Sequence, residues 1–426
     1  MFRIIILILF YFAFPLVIIY LCKKWSVLKK LGAIVLAYGF GLFIGSIGIL
    51  PKGSDGYRLA LQEKPALPRP ELETLVSQGK AVEKDYYVNQ IAQVQDMIPS
   101  IVIPLAFPLL LFSLNIKKWL RYARKGFISV GLALLSGMIM VPAGFFIFKN
   151  HIPDSWKLAG MFVGIYTGGT PNFVSLKLAL DVDPSLFVIV STYDMVVGAF
   201  LVLFYITIAP GLFRLILPPF KSSRSGTSED FKTNIAEIEK DYDDFSGFFR
   251  KGRIFPLLGA LVISIIIFAV SFGLSLLIPG IPQMVVVILS ITTLSILASL
   301  VKYLNRIEKT FQLGMYLIVV FSLVIASMAD LRIMFSIGMF NLILFITWCY
   351  FGSLFLHIIL AYIFRIDSDN FLITSAAFIF SPPFVPMVAG ALKNKDIIIT
   401  GITGGILGYI LGNYFGIALA YFLRGF

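Results

Sequence analysis

The sequence predicts an all-α polytopic membrane protein built from two inverted repeats, and three observations support this fold class. Hydrophobic residues make up 58% of the 426 residues and charged residues only 14%, whereas a soluble domain carries about 25% charged residues. Apolar segments of membrane-spanning length fill most of the chain. The fifth of six segments in each half is interrupted by Gly or Pro. Lipid is therefore the expected solvent for most of this protein.

Twelve apolar segments can be counted, and most reach the ~20 residues that a helix needs to cross a bilayer. Two hydrophilic stretches, 51–96 and 214–253, interrupt them. Both are expected to form loops with some amphipathic helix, because neither is long or apolar enough to be a catalytic domain. The apolar segments span residues 3–22, 31–50, 97–115, 126–148, 157–180, 186–213, 254–279, 283–301, 310–329, 333–364, 371–393 and 396–423.

The fifth and eleventh segments differ from the other ten. Residues 168–171 (Gly-Gly-Thr-Pro) interrupt the fifth, and residues 381–383 (Ser-Pro-Pro) interrupt the eleventh. Gly and Pro at this density unwind a helix and leave backbone amides and carbonyls without partners. Such groups cannot face lipid, so both breaks are expected to face protein or a water-filled cavity. Asp154 and Asp367 precede the two segments and are expected to cap them in a similar way.

The order of features repeats between the two halves. An offset of 214 residues superposes the sequence GGTPNF on the region of PPFVPM. Two halves of six segments, each with a broken fifth member, are typical of transporters built from repeats. We therefore expect a first repeat at 1–213 with its core at 126–213, a cytoplasmic linker at 214–253, and a second repeat at 254–426 with its core at 333–426.

Short basic clusters between the segments indicate the orientation of the chain and account for its net charge of +12, so a nucleic-acid partner is not expected. If the broken segments crossed the membrane fully, the cluster at 302–309 would lie outside. If the broken segments are re-entrant hairpins, the cluster at 302–309 lies inside, together with the other basic clusters. Ten crossings, two hairpins and external termini are therefore favoured, and a continuous broken crossing helix is the alternative. The other cytoplasmic clusters are Lys23, Lys24, Lys29, Lys30 and Lys117, Lys118, Arg121, Arg124, Lys125.

The first break offers the ligands that a hard cation prefers. Hydroxyl, amide and backbone carbonyl oxygens converge at Thr167, Gly168, Gly169, Thr170 and Asn172. Helix N-termini at the same break suit an anionic group of a substrate. The structural alternative for any one of these residues is a Gly-Pro kink that Thr and Asn cap.

The second break and one carboxylate complete the candidate site. Ser381, Pro382 and Pro383 are expected to bind substrate mainly through the backbone, since this break carries few polar side chains. Asp194 lies inside the sixth segment, where a charge costs about 2.5–3.5 kcal/mol, and intramembrane acids are functional by default. We assign it, with Thr167 and Asn172, to sodium or proton coupling. The alternative is an Asp that its neighbours at 191–193 satisfy.

Enzymatic chemistry is not indicated. The chain contains two histidines, His151 and His357, and neither belongs to a zinc-protease, hydrolase or nucleotide-binding motif. Cys22 and Cys349 match no metal or redox spacing. No organic cofactor is therefore expected, and any pumping must be driven by an ion gradient.

The sequence from GGTPNF to ITIAP, together with SMADLR and GITGGILGYILGNYFGIALAYFL, resembles the YjcL-like family of membrane proteins of unknown function. That family is similar to the inverted-repeat carriers, which include the bile-acid, citrate and glutamate sodium symporters and the sodium/proton antiporters. The resemblance implies that the breaks at 168–172 and 381–386 meet at the substrate and ion site, with Asp194 beside it. The Ser-Pro-Pro sequence at 381–383 departs from the family pattern of Gly-Gly-Pro.

These features predict an ion-coupled secondary transporter of a small solute, an organic anion or an amino-acid-like compound, that works by an elevator or rocking motion. The expected location is the bacterial cytoplasmic membrane, and the expected assembly is a homodimer. A sodium/proton antiporter that uses Asp194 is the second transport hypothesis. A membrane scaffold or sensor that does not transport is the hypothesis from another class.

Overall fold

A computed structural model describes residues 2–25, 28, 32–61, 66–112, 126–220, 245, 252–328, 340–394 and 396–426. These residues form helices and no strand, which confirms the all-helical prediction. Four predicted features lie outside them, namely the pair Lys29 and Lys30, the basic cluster at 117–125, most of the linker at 214–253, and residue 333, where the tenth segment was expected to begin. For Pro383 and Pro386 only the backbone is described.

The described helices follow one another without any sheet. In chain order they are α1 (Phe2–Lys24), α2 (Ala33–Ser46), α3 (Asp55–Leu61), α4 (Arg69–Ser77), α5 (Lys84–Phe112), α6 (Phe127–Phe148), α7 (Ser155–Ala179), α8 (Pro184–Thr207), α9 (Ala209–Ile216), α10 (Ile254–Leu276), α11 (Gln283–Ser299), α12 (Lys302–Asn305), α13 (Thr310–Met328), α14 (Phe340–Ile363), α15 (Ser368–Phe380), α16 (Val385–Leu392) and α17 (Ile398–Leu423). A π-helical turn, Trp348–Gly352, lies within α14.

Eight helices of the described part are long and apolar enough to cross a membrane, namely α1, α5, α6, α8, α10, α13, α14 and most of α17. The helices α2 and α11 are apolar but shorter. Two expected bounds were wrong. The third segment was expected at 97–115, but α5 begins at Lys84, and the sixth segment divides into α8 and α9.

The described residues group into two compact units that alternate along the chain. The first lies within Met1–Ala106, Val182–Thr192 and Gly314–Ser336, and the second within Phe107–Asp181, Tyr193–Leu313 and Ile337–Phe426. Every predicted binding residue belongs to the second unit. The division into inverted repeats at 1–213 and 254–426 stays a prediction.

In the first unit, a small hydrogen-bond network explains why α5 starts early. The Gln95 side-chain amide donates to the Tyr11 hydroxyl at 2.9 Å and to Ser327 Oγ at 3.0 Å. Tyr11 and Ser327 also bond to each other at 2.8 Å. Because partners within the unit satisfy this buried amide, a polar residue is tolerated in a helix that hydropathy alone would begin later.

The hydrophilic stretch at 51–96 has a core of its own within the first unit. Tyr57 of α3, Leu67, Leu72 of α4, Ala81 and Val88 of α5 pack together there. Burial, and to a smaller extent the nearby Asp85 carboxylate, raises the pKa of Tyr57 to about 12. Its hydroxyl therefore stays protonated and donates to Asn89 Oδ1 at 2.8 Å.

In the second unit, α7 is a re-entrant hairpin. Its backbone is non-helical at Gly169, with φ 64° and ψ −155°. Gly160 packs against Leu180, although a continuous helix would hold these two residues ~30 Å apart. The Lys157 ammonium donates to the Asp181 carbonyl at 3.0 Å and so joins the two ends. The two ends of the first hairpin (Ser155–Ala179) therefore lie together, which agrees with the re-entrant prediction; the side of the membrane that they face stays a prediction.

A second hairpin, residues 368–392, is formed by α15 and α16. The chain reverses at Ser381, with φ 73° and ψ 165°. The Asn394 amide donates to Asp369 Oδ2 at 2.8 Å. Arg214 of α9 donates both to Asp369 Oδ1 at 3.4 Å and to the Leu392 carbonyl at 3.3 Å. The two ends of this hairpin therefore also lie together.

The helix α17 lies beside both hairpins, and its glycines provide the contact surface. Gly401 and Gly405, near its start, contact the second hairpin, whereas Gly408, Gly412 and Gly416 contact the first. The hairpins therefore approach each other from opposite ends of α17. Close packing of this kind is what small residues on one helix face allow in a membrane protein.

Only one of the two expected caps is present. Asp367 accepts a hydrogen bond from the Asn370 amide nitrogen at 2.9 Å, as predicted. Asp154 instead adopts a left-handed conformation (φ 49°) without a capping bond, and its carboxylate pairs with Lys157 at 3.0 Å. The prediction for Asp154 was wrong because an ion pair to the next turn competes with the cap.

Candidate functional site

The two hairpin tips meet inside the second unit. Ser381 Oγ donates to the Gly168 carbonyl at 3.4 Å, and a Cβ atom placed on Gly169 would lie 1.7 Å from Ser381 Oγ. Thr170 is partly exposed at this junction, whereas Pro382 is buried. The predicted residues of both breaks are thus brought together. The two breaks lie 212 residues apart, from Gly169 to Ser381, so the offset of 214 does not superpose them.

Thr167 presents two oxygen atoms to α17. Its side chain is 1% exposed, and its hydroxyl proton is donated to the Val163 carbonyl at 2.7 Å. A Cβ atom on Gly408 would lie 1.6 Å from the Thr167 carbonyl oxygen, and one on Gly412 would lie 2.4 Å from its Oγ1. Both oxygens are therefore within the layer between the first hairpin and α17, where only glycine leaves room for them.

Asn172 is the most unusual residue of the tips. It is fully buried, and its amide nitrogen donates to the Gly408 carbonyl at 3.0 Å. That bond orients the side chain, and its Oδ1 has no hydrogen-bond partner among the described residues. A buried unpaired acceptor costs about 1–3 kcal/mol, so a donor or a cation is expected to bind it.

A network of polar side chains extends from the first hairpin across α17 to α11. Ser175 Oγ donates to Asn413 Oδ1 at 2.6 Å, and the Asn413 amide nitrogen donates to Thr292 Oγ1 at 3.1 Å. Asn413 therefore joins helices, as apolar-segment amides commonly do. Sequence analysis did not single out Ser175 or Thr292, because isolated hydroxyls in apolar segments carry no periodic signal.

The oxygen atoms at the first hairpin tip are ligands that suit a monovalent hard cation. Thr167 and Asn172 offer hydroxyl, carbonyl and amide oxygens close to one another. No group of three His, Cys, Asp or Glu side chains with metal-binding geometry is present in the described part of the chain. These neutral oxygens could hold sodium, whereas a transition metal would prefer nitrogen or sulfur ligands.

Asp194 lies on α8 and bonds to α14. The Tyr350 hydroxyl, in the π-helical turn, donates to Asp194 Oδ1, and the Tyr350 ring packs against Phe162 of the first hairpin at 6.2 Å. Ser191 and Thr192 donate to carbonyls of their own helix, so they do not satisfy the carboxylate. Within the described residues no hydrogen bond joins Asp194 to either break. Asp194 is connected to the first hairpin through Tyr350, which bonds to the carboxylate and packs against Phe162.

Tyr350 is another residue that sequence reasoning missed. It lies in Trp348–Gly352, where π-helical geometry re-aims side chains and is frequent at functional sites. A tyrosine in an apolar segment resembles an interfacial belt residue in sequence. The π-helical turn is visible only in the folded chain.

Comparisons with known proteins identify relatives of unknown activity. The chain is 26% identical over 332 residues to the uncharacterized membrane protein YjcL of Bacillus subtilis (strain 168), an alignment that covers 76% of this chain and 82% of the relative. A family described as protein of unknown function (DUF819) matches residues 88–426, which include both hairpins and Asp194. The chain is a membrane protein that belongs to the DUF819 family.

Proposed function

We propose that this protein is an ion-coupled secondary transporter of a small solute, an organic anion or an amino-acid-like compound, in the cytoplasmic membrane of a bacterium. The observation that carries the proposal is the meeting of two re-entrant hairpins, with the unpaired Asn172 Oδ1 beside their tips. Irregular backbone at membrane depth is tolerated where it lines a binding site. Discontinuous helices that meet near the middle of the membrane are typical of secondary transporters.

The geometry of the tips supports an ion and an anionic solute together. The first limb of each hairpin ends at its tip, so its free carbonyls carry a partial negative charge there. The second limb begins at the same tip, and its free amides carry a partial positive charge. A cation bound to the carbonyls and Asn172 would neutralise one end, while a carboxylate would neutralise the other. This pairing gives a physical reason for coupling the two.

The packing on α17 supports an elevator or rocking motion. Both hairpins contact one glycine-lined helix, and a hydrogen bond of 3.4 Å and the packing of Tyr166 against Phe378 join them beside their tips. In the proposed motion one hairpin separates from the other while α17 keeps its own contacts. Alternate opening would expose the site to one side of the membrane at a time.

The first experiment measures sodium binding and flux. Purified protein is heated in sodium chloride or potassium chloride at equal ionic strength, and proteoliposomes are loaded with labelled carboxylates and amino acids for counterflow. We expect sodium to raise the thermal midpoint of the wild type and to drive flux. Asn172→Ala should lose both effects because it removes the unpaired oxygen. Asn341→Ala, an intramembrane amide on α14 outside the tips, is the matched control.

The outcomes separate the hypotheses. Flux that follows a pH gradient but not sodium would make the proton the coupling ion. Absence of gradient-dependent flux, together with Asn172→Ala behaving like the wild type, would contradict the transporter proposal and favour a scaffold or sensor.

A sodium/proton antiporter is the second candidate. The observation that favours it is the intramembrane carboxylate of Asp194, which accepts a hydrogen bond from the neutral Tyr350 hydroxyl. A carboxylate in that setting can exchange a proton for a cation. This candidate predicts that sodium movement needs no organic solute, and a pH-sensitive dye inside proteoliposomes would report it.

A further inference from the structure

Five polar side chains that the proposed site does not use lie together in the second unit. They are buried, each at most 1% exposed. They belong to four helices that also carry or adjoin the hairpin tips. This group, called the His357 cluster below, consists of Tyr166 on α7, Tyr205 on α8, Ser353 and His357 on α14, and Ser375 on α15.

The members of the cluster are neighbours. His357 Nδ1 and Ser375 Oγ are 3.0 Å apart, and His357 and Ser353 share one face of α14 because they are four residues apart. The Tyr205 hydroxyl lies close to Ser375 and interacts electrostatically with Tyr166. The Tyr166 hydroxyl in turn lies close to Ser353. The five groups therefore form one polar patch enclosed by apolar helices.

The hydrogen bonds of Ser375 favour one tautomer of His357. Ser375 Oγ lies 2.7 Å from the Phe371 carbonyl and donates its hydroxyl proton there. In that arrangement Ser375 Oγ accepts from the imidazole, and Nδ1 carries the ring proton. A neutral imidazole with hydrogen on Nδ1 has a lone pair on Nε2. His357 thus presents a base to the interior of the second unit.

Several atoms of the cluster lack partners. Among the described residues, His357 Nε2, Ser353 Oγ and the hydroxyls of Tyr166 and Tyr205 have no hydrogen bond of acceptable geometry. The Tyr166 hydroxyl lies close to Ser353 and the Tyr205 hydroxyl close to Ser375, so a bridging water molecule or a small shift would complete their hydrogen bonds. Buried polar atoms without a hydrogen-bond partner indicate a site for water or for a bound species.

We propose that the His357 cluster is a buried proton-binding site, with His357 Nε2 as the acceptor and the neighbouring hydroxyls, bridged by water, as the relay. In the step, a relay O–H gives its proton to Nε2 and regains one from the next group, and the last group takes one from hydronium in the aqueous phase; the imidazole gains one proton and the water phase loses one. The Ser129 carbonyl of α6 lies near the ring and can accept from the protonated imidazole. This inference rests on the proposed function, in which it makes the proton a coupling ion.

The surrounding charges leave the imidazolium without a nearby counter-charge among the described residues. No ionisable side chain lies on α6, and those on α14 besides His357 are tyrosines and the buried thiol of Cys349. His357 therefore binds a proton only in conformations in which water enters the cluster. Proton binding thus depends on the conformation of the protein, as coupling of a proton to transport requires. The other ionisable groups on the contributing helices are Asp369, paired with Arg214; Asp194, bonded to Tyr350; Tyr193; and Lys157 and Lys177 on α7.

The presence of two histidines permits a direct test. In a His151→Gln background, nitrogen NMR of the full-length protein labelled in its imidazole reports His357 alone. We expect a spectrum with hydrogen on Nδ1 and a bare Nε2, and conversion to the imidazolium as the pH falls while the protein stays folded. Ser375→Ala should yield a mixture of tautomers. Hydrogen on Nε2 at every pH, or no conversion within the folded range, would overturn the proposal.

A flux measurement separates this proposal from the transporter proposal. If both hold, solute flux driven by a pH gradient is lost in His357→Gln and kept in His151→Gln. If the imidazole takes up a proton in the NMR experiment but no variant shows gradient-driven flux, the proton site stands and the transport function fails. If flux depends on the pH gradient equally in His357→Gln and in the wild type, the coupling role of His357 is wrong.

Discussion

Ser381 adopts a backbone conformation that is normally reserved for glycine. Its φ of 73° and ψ of 165° resemble those of Gly169 in the other tip, φ 64° and ψ −155°. A side chain in this region costs about 1–3 kcal/mol, and such residues cluster at binding sites. Its hydroxyl donates to Gly168, so the strained residue provides the direct connection between the tips.

Substitution of Ser381 tests this strain. We expect Ser381→Gly to be more stable than Ser381→Ala by about 1–3 kcal/mol, because both lose the hydroxyl but only alanine keeps the disfavoured conformation. Chemical unfolding of the two variants in detergent gives the comparison. Equal stabilities would show that the backbone at this tip is not strained.

Asp194 and Tyr350 form a pair whose members should have separable effects. We expect Asp194→Asn to fold and to lose ion-driven flux, because an amide keeps the shape but cannot carry the charge. Tyr350→Phe should lower the free energy of unfolding by about 1–3 kcal/mol, since it leaves the carboxylate without its donor. Flux and thermal unfolding are measured on both.

The control for this pair is Asp183→Asn. Asp183 is exposed and accepts from the Leu186 amide at the start of α8, where Asn caps a helix about as well as Asp. Flux that is unchanged in Asp194→Asn would remove Asp194 from the coupling mechanism.

At the scale of elements, α17 is the helix that both hairpins need. Its glycines are not interchangeable, because each meets a different neighbour. Gly408 faces a backbone carbonyl that cannot move without the hairpin, whereas Gly404 faces a valine methyl at 3.0 Å that can rotate away. The tightness of the contact therefore differs along a single stripe.

Gly408→Ala is the corresponding prediction. Because its Cβ would lie 1.6 Å from the Thr167 carbonyl oxygen, the first hairpin must shift, and we expect a loss of about 1–3 kcal/mol in stability together with weaker sodium stabilisation. Gly259→Ala on α10, where the Cβ meets open space, should be neutral or gain about 0.5–1 kcal/mol from helix propensity. Thermal unfolding with and without sodium checks both, and similar behaviour of the two variants would contradict the close approach.

At the scale of the whole molecule, the two hairpins predict which side of the membrane each helix end faces. The first has both ends near the end of α17, and the second has both ends near its start. If neither hairpin crosses the membrane, the short basic loops lie on one side, as the charge pattern predicts.

Cysteine labelling from each side of the membrane tests this arrangement. In a background without Cys22 and Cys349, single cysteines at His151 and Asp183, before and after the first hairpin, should react with an impermeant reagent from the same face. A cysteine at Asp396, before α17, should react from the opposite face. Labelling of positions 151 and 183 from opposite faces would show that α7 crosses the bilayer.

The sequence by itself determined the class of protein and the place to look for its site. Composition required a lipid environment, and the density of Gly and Pro placed the breaks at Gly168–Pro171 and at Ser381, because adjacent Gly and Pro residues weaken a helix more than the single ones inside α1 and α6 do. It also placed Asp194 inside a membrane helix, since a charge in an apolar run is a local property.

Only the tertiary structure decided how these parts combine. The return of each hairpin, the meeting of Gly168 with Ser381, the unpaired oxygen of Asn172 and the bond from Tyr350 to Asp194 join residues far apart in the chain. Periodicity cannot report such contacts, because a hydroxyl or amide in an apolar helix looks the same whether its partner is its own backbone or another helix. The physical reason is that a broken helix has free polar groups, and only packing determines which neighbour satisfies them.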